Sequence, residues 1–228
     1  MQDGVHSIRS FSLLELIEKH SFVEMIFLLL RGDMPSEKER VLLDAVLVAG
    51  VEHGIHAPSA FVPRVSASVG NDMHTAIAAG ILATGKRHGG AVQEAARVFS
   101  LEKSPQEIVA SYQEEGKMIP GFGHKVYKEE DPRATAIYKK AQTLQLPTTV
   151  FDRAYALEAH LREQKRKTIP LNIDGAIAAA LLTLKFDERV GDALFILPRM
   201  VGMTAHILEE YMQNNSYYRL SADDVEES

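Results

Sequence analysis

Cysteine is absent from these 228 residues, and so is tryptophan. Without a thiol the chain can form no disulfide, bind no metal through thiolate and use no cysteine nucleophile. The apolar stretch 22–30 is too short to span a bilayer and contains Glu24. A positive excess is missing too. The formal net charge of -6 removes any bulk attraction to nucleic acid or to an anionic membrane. An anionic substrate must then be drawn by local arginines. The start, Met1-Gln-Asp-Gly4, has neither the basic residues nor the apolar run of a signal peptide. A Walker motif, a serine elbow and an H-E-x-x-H pair are all missing. His53-Gly-Ile-His56 has a loosely metal-like spacing but no third ligand nearby, so no metal is expected. These absences leave a cytoplasmic protein with no nucleic-acid and no membrane partner as the expectation.

What is present is helix. Hydrophobic residues make up 46% of the chain and charged ones 25%, enough for a sizeable core in one or two domains. Four S-x-x-E capping boxes mark helix starts, at Ser12–Glu15, Ser21–Glu24, Ser36–Glu39 and Ser104–Glu107. Pro105 sits at the first helical position after the last of these, and Asp131-Pro132 opens another helix in the same way. Gly32, Gly54, Gly85 and Gly116 follow the periodic segments as stops. The helices predicted are 12–19, 21–31, 36–53, 71–84, 89–102, 105–116, 131–145, 148–166, 174–185 and 189–214. Residues 75–82 and 174–184 are small and apolar almost all round, so both helices are expected to be central. No hairpin is expected, and the acidic tail 222–228 reads as frayed. The fold class is all-α.

Three loops carry polar residues in glycine-rich company. Gly85-Lys-Arg-His88-Gly-Gly90 lies between two helices and leads into the second, whose dipole disfavours a charged imidazole. A neutral imidazole can still donate to a developing oxyanion. Ile119-Pro-Gly-Phe-Gly-His124 runs on through Lys128 to Asp131-Pro-Arg133, and its glycines allow backbone to approach a ligand. Ile169-Pro-Leu-Asn-Ile-Asp174-Gly175 places Asp174 where an apolar helix begins, a position that a simple N-cap would also explain.

Together these loops resemble the citrate synthase family. The segment Gly-Phe-Gly-His124…Asp131-Pro-Arg133 is close to that family's signature, and His88-Gly-Gly and Asn172-Ile-Asp174 match its catalytic histidine and aspartate. The likeness runs from Ile8 to about Arg219 and takes in Glu52-His53-Gly, Arg64-Val-Ser-Ala-Ser and the stretch from Arg199 to His206. It implies a large domain, 1–91 and 185–228, a small domain, 92–184, and an active site between them. By position, Asp174 would move the α-proton of an acyl-CoA, His88 would hold the thioester oxygen, and His124 would bond the oxo-acid carbonyl. His53, Arg133, Arg199 and Arg219 would bind carboxylates, with Arg219 crossing the interface of a homodimer. Ile119, Gly121, Gly123 and Lys128 would meet coenzyme A. The thioester is substrate, and no bound cofactor is implied.

The chain is shorter than typical citrate synthases. Asn172-Ile-Asp-Gly175 and Tyr218-Arg-Leu-Ser-Ala-Asp-Asp224 look more like stand-alone citryl-CoA lyases and the lyase module of ATP-citrate lyase. The resemblance therefore implies cleavage of citryl-CoA to acetyl-CoA and oxaloacetate. Citrate or 2-methylcitrate synthase is the alternative. A non-catalytic CoA or metabolite sensor and a helical interaction module are further readings. ATP-citrate lyase activity by the chain alone is not expected, since no nucleotide-binding or CoA-ligase segment is present.

Overall fold

A computed structural model describes residues 6–85 and 88–219. Among them eleven α-helices dominate. The one exception to the helical expectation is a minimal hairpin, β1 (Ser7–Ile8) paired antiparallel with β2 (Phe11–Ser12). Two residues per strand are too few to show an alternating pattern, which is why the sequence does not announce it. The helices are α1 (Leu13–Lys19), α2 (Phe22–Leu30), α3 (Glu37–Gly50), α4 (Pro58–Ser68), α5 (Met73–Leu82), α6 (Val92–Ser100), α7 (Pro105–Glu114), α8 (Pro132–Thr143), α9 (Thr149–Lys165), α10 (Ile173–Thr183) and α11 (Gly191–Gln213). The predicted tail 222–228 lies outside the described residues, as do Lys86 and Arg87.

Three of the four capping boxes form. Ser21, Ser36 and Ser104 each accept the backbone N–H of the glutamate three residues on, and each glutamate reaches back. Ser12 makes no side-chain cap bond. Its backbone is paired in β2, and Glu15 binds Lys19 instead, at 3.2 Å. Helix α4 is absent from the sequence expectation. Its two prolines hide it: Pro58 occupies the first position, where a missing N–H is harmless, but Pro63 lies in the interior.

Helix α10 is the hub. Every residue from Gly175 to Leu181 is buried, and α3, α6, α8, α9 and α11 all pack on it. Four of the seven residues from Gly175 to Leu181 are alanine, so neighbouring helices approach closely there. Larger side chains such as Phe27, Phe151 and Leu157 fill the surrounding core. Each contributes on the order of 1.5–3 kcal/mol by leaving water.

Helix α5 corrects an expectation. Only Ala76 and Gly80 of it are buried, and Leu82 is 85% exposed. It rests on α4 and α11 at the edge of the molecule, not at the centre. Gly80 allows this contact, since a Cβ there would meet Met203 and Pro63. The outer surfaces of α4, α5 and α11 leave Phe61, Val69, Val201, Leu208 and Met212 exposed. No helix among the described residues is long and apolar enough to cross a membrane.

The two kinds of serine cap are separable by stability. Ser36→Ala should destabilise the protein by about 1 kcal/mol through loss of a working N-cap. Ser12→Ala should stay within about 0.5 kcal/mol of the parent. Urea unfolding of both variants measures the difference.

Candidate active site

The polar loops converge on one cavity of about 930 Å³. His53, His88, His124, Arg133, Asp174 and Arg199 all line it, so six of the seven catalytic and carboxylate-binding candidates meet.

His88 is placed by backbone pairing with Gly85. Gly85 and His88 exchange both backbone hydrogen bonds at 2.7 Å. Gly89 follows with φ +73°, and a Cβ there would collide with the Phe195 ring. His88 Nε2 lies 2.7 Å from Ser59 Oγ and 3.4 Å from the Ser59 N–H. The backbone amide can only donate, so Nε2 is the lone-pair nitrogen and the ring proton belongs on Nδ1. Burial lowers the His88 pKa, helped by the positive charges of Arg199 and Lys125. Burial and these neighbouring cations favour the neutral ring, whose Nδ1–H is left to donate. Ser59 is fully buried and has no counterpart in the sequence expectation. The Pro58 start signal that would have placed it on α4 was the available clue.

His124 and His53 form the second centre. His124 Nδ1 accepts the N–H groups of Val126 and Tyr127, both at 3.0 Å, which puts its proton on Nε2. His53 Nδ1 faces Arg133 Nη1 at 2.8 Å, and a guanidinium can only donate. The neutral His53 proton therefore also sits on Nε2. The two Nε2 atoms are 3.3 Å apart, with Arg133 Nη2 3.4 Å from that of His124. Nitrogens this close leave no room for an atom between them, but a carbonyl or carboxylate oxygen beside the pair can accept from both ring N–H groups. Burial, with Arg133 next in effect, holds the His53 pKa at about 4 and also lowers that of His124.

Arg133 is itself fixed by buried Asp131, which accepts its Nε at 2.9 Å and its Nη2 at 2.7 Å. Burial alone would raise the Asp131 pKa, but the Arg133 bonds hold it below the usual carboxylate range. Tyr127 stacks on His124 with ring centroids 4.8 Å apart, a neighbour the sequence expectation leaves out. Glu52 steadies the His53 backbone, accepting the N–H groups of His53 and Gly54.

Asp174 is not a helix cap. Asn172 caps α10, accepting the Gly175 N–H at 3.1 Å, while Asp174 sits in the first turn. The Asp174 Oδ1 is buried and has no hydrogen-bond partner among the described residues. Burial raises its pKa to about 6, against the pull of Arg133 and Arg199. Arg199, only 2% exposed, donates Nε to the Gly50 carbonyl at 2.9 Å, and its Nη1 has no partner among the described residues.

The segments bearing His124 and Asp174 are joined by backbone. Gly123 N donates to Pro170 O at 2.7 Å, and Asn172 N to Gly121 O at 3.0 Å. Gly121, at φ +86°, packs so closely on Gly175 that a Cβ on either would strike the other's backbone.

Four candidates lie off the cavity. Ile119 is 5% exposed and belongs to the core, and Gly121 backs onto Gly175 behind the cavity wall. Of the four residues expected to meet coenzyme A, only Gly123 lines the cavity. Lys128 is exposed, with Nζ turned to the His124 carbonyl at 3.1 Å. Arg219 lies at the surface with its guanidinium over the Tyr217 ring. No group of three or more possible metal ligands is found among the described residues.

A family model described as "Citrate synthase, C-terminal domain" matches residues 18–221. The chain belongs to the citrate synthase family. Among family members of known structure, citryl-CoA lyase from Hydrogenobacter thermophilus is 38% identical, with a TM-score of 0.91 over 98% of this chain and 90% of that one. Methanosaeta concilii ATP citrate lyase, solved with (3S)-citryl-CoA, is 25% identical with a TM-score of 0.88, over 95% of this chain and 38% of that one. The family member 2-methylcitrate synthase of Shewanella oneidensis is 33% identical over 86% of this chain and 53% of its own length. The chain spans about a third to about half the length of the curated family members it matches, 30% of one and 56% of another.

The raised Asp174 pKa predicts a stability change that needs no substrate. An unfolded aspartate ionises near 3.8, but this one stays protonated up to about 6 when folded. Stability is therefore lost as pH rises from about 4 to 6, and the loss persists above that range. Asp174→Asn removes the penalty and should be more stable than the parent at pH 7.5 by on the order of 1–3 kcal/mol. The difference should vanish below about pH 4. Thermal melts of both proteins from pH 3.5 to 8 measure it.

Proposed function

We propose that this protein is a citryl-CoA lyase, cleaving citryl-CoA to acetyl-CoA and oxaloacetate by a reverse Claisen-type reaction. What carries the proposal is one juxtaposition. Neutral histidine donors and an unpaired, hard-to-ionise carboxyl line a single cavity with Arg133 and Arg199. A thioester enolate needs such a set: a donor for the oxygen, and a close acid–base group for the carbon.

In cleavage, His124 and His53 hold the tertiary hydroxyl oxygen as it becomes a carbonyl. Arg133 and Arg199 take the carboxylates of the departing oxo acid. As the carbon–carbon bond breaks, the His88 N–H supports the enolate oxygen, and Asp174 supplies a proton to the acetyl carbon. The hydroxyl proton passes to water, because both histidine Nε2 atoms already carry protons, and Asp174 regains its own proton from water, so no net proton is released. Gly123 and Lys125, which line the cavity, with the nearby Lys128, would meet the coenzyme A portion. Residues 92–184 would move as the small domain over the remainder, excluding water from the enolate. Cytoplasmic central carbon metabolism is the setting that fits such substrates.

The similarity to 2-methylcitrate synthase keeps acyl-CoA condensation as a second reading. Incubating the pure protein with citryl-CoA separates the two. Acetyl-CoA and oxaloacetate mark the lyase, citrate and free CoA mark the synthase's hydrolytic step, and binding without either marks a sensor. Asp174→Asn should lower turnover about 10²–10⁴-fold. A variant keeping more than about a tenth of the parent rate would remove Asp174 from the chemistry.

We also propose a symmetric homodimer in which Arg219 completes the partner's cavity. The apolar residues left exposed on α4, α5 and α11 support this, as does the position of Arg219 away from its own cavity. Asp174→Asn and Arg219→Ala chains, each inactive alone, should recover roughly a quarter of parent activity after mixed refolding, because half the dimers then carry one intact site of two. No recovery from dimers shown to be mixed would place Arg219 elsewhere.

A further inference from the structure

Glu158 lies on α9, behind the cavity, and plays no part in the chemistry above. Its carboxylate accepts the backbone N–H of Leu171 at 2.7 Å. Leu171 belongs to the short extended segment 170–172, whose other edge is paired with residues 121–123. Amides along an extended segment point alternately to either side, so the Leu171 N–H faces away from that pairing. Leu171 is 1% exposed, and a buried amide without an acceptor is costly. Glu158 therefore holds the second edge of a segment whose first edge is held by the His124 loop.

The residues just beyond Leu171 make this contact matter. Asn172 ties the segment to Gly123 O at 2.9 Å and caps α10, and Asp174 comes two residues later. Glu158 is half-buried, an unfavourable place for a carboxylate whose only hydrogen-bond partner among the described residues is a backbone amide. An acceptor there is more than a solvated helix residue requires.

We propose that Glu158 is a positioning residue for the reaction: through the Leu171 N–H it fixes the segment that sets Asp174 against the acyl carbon. This rests on the assignment of Asp174 to the chemistry. Two variants test it. Glu158→Ala removes the acceptor, whereas Glu158→Gln keeps an amide oxygen able to take the same N–H. With citryl-CoA as substrate, Glu158→Ala should lower kcat about 10- to 100-fold and leave KM within about threefold. Glu158→Gln should restore kcat to within about threefold of the parent. Hydrogen exchange at residues 170–174, followed by mass spectrometry, should be faster by about tenfold or more in Glu158→Ala and near the parent rate in Glu158→Gln.

The proposal is overturned by an alanine variant that keeps more than half the parent kcat, by a loss confined to KM, or by a glutamine variant no better than alanine. A parent protein that turns over neither citryl-CoA nor acetyl-CoA with oxaloacetate would instead refute the assignment of the site, and Glu158's role with it. An active parent with an unaffected alanine variant refutes Glu158 alone.

Discussion

The site depends on a few atoms of backbone pairing between residues 121–123 and 170–172. These stretches are nearly fifty residues apart in sequence, and two hydrogen bonds bring them into register. His124 follows directly after one and Asp174 shortly after the other. Gly121 and Gly175 let the strands of backbone touch, since any side chain at either position would force them apart. The relative placement of a donor and a carboxyl thus rests on main-chain contact along this inner edge, while the Glu158 carboxylate holds the outer one. Such rigidity is what a reaction sensitive to displacements of about 1 Å requires.

The electrostatics show a division of labour. The protein as a whole is acidic, yet the cavity holds two arginines close to three histidines. Their field and the burial act together to lower the pKa values of His53, His88 and His124. The same burial keeps a carboxyl reluctant to ionise, and the arginines only partly offset it. Neutral donors, fixed cations and a weakly acidic carboxyl occupy one small volume because each lies in a different balance of burial and neighbouring charge.

Much of this was legible in the sequence, for identifiable reasons. Capping boxes at Ser21, Ser36 and Ser104 work through contacts three residues apart, so they survive without tertiary context. The same spacing at Ser12 failed because strand pairing and Lys19 competed for the groups involved. Helix α4 was hidden by Pro63, and with it Ser59, the partner that sets the His88 tautomer. The loop residues His88, His124 and Asp174 stood out because they interrupt helical periodicity beside glycine. Apolar composition placed α10 correctly in the centre but misplaced α5. A small-residue helix can be packed on every side or only along one seam, and composition does not distinguish the two.

The alanine-rich helix α10 gives the protein a one-sided response to change. An alanine has almost nothing to lose by truncation, so at Ala176, Ala178, Ala179 and Ala180 the hub cannot be weakened by making it smaller. Each added methylene must instead displace one of five neighbouring helices, and overpacking of that kind typically costs about 1–3 kcal/mol. Elsewhere in the core, at Phe27 or Leu157, the harm runs the other way, through cavities left by lost volume. Sequence drift along this chain should therefore be filtered by opposite rules in adjacent layers: a ceiling on side-chain size along the central axis and a floor around it.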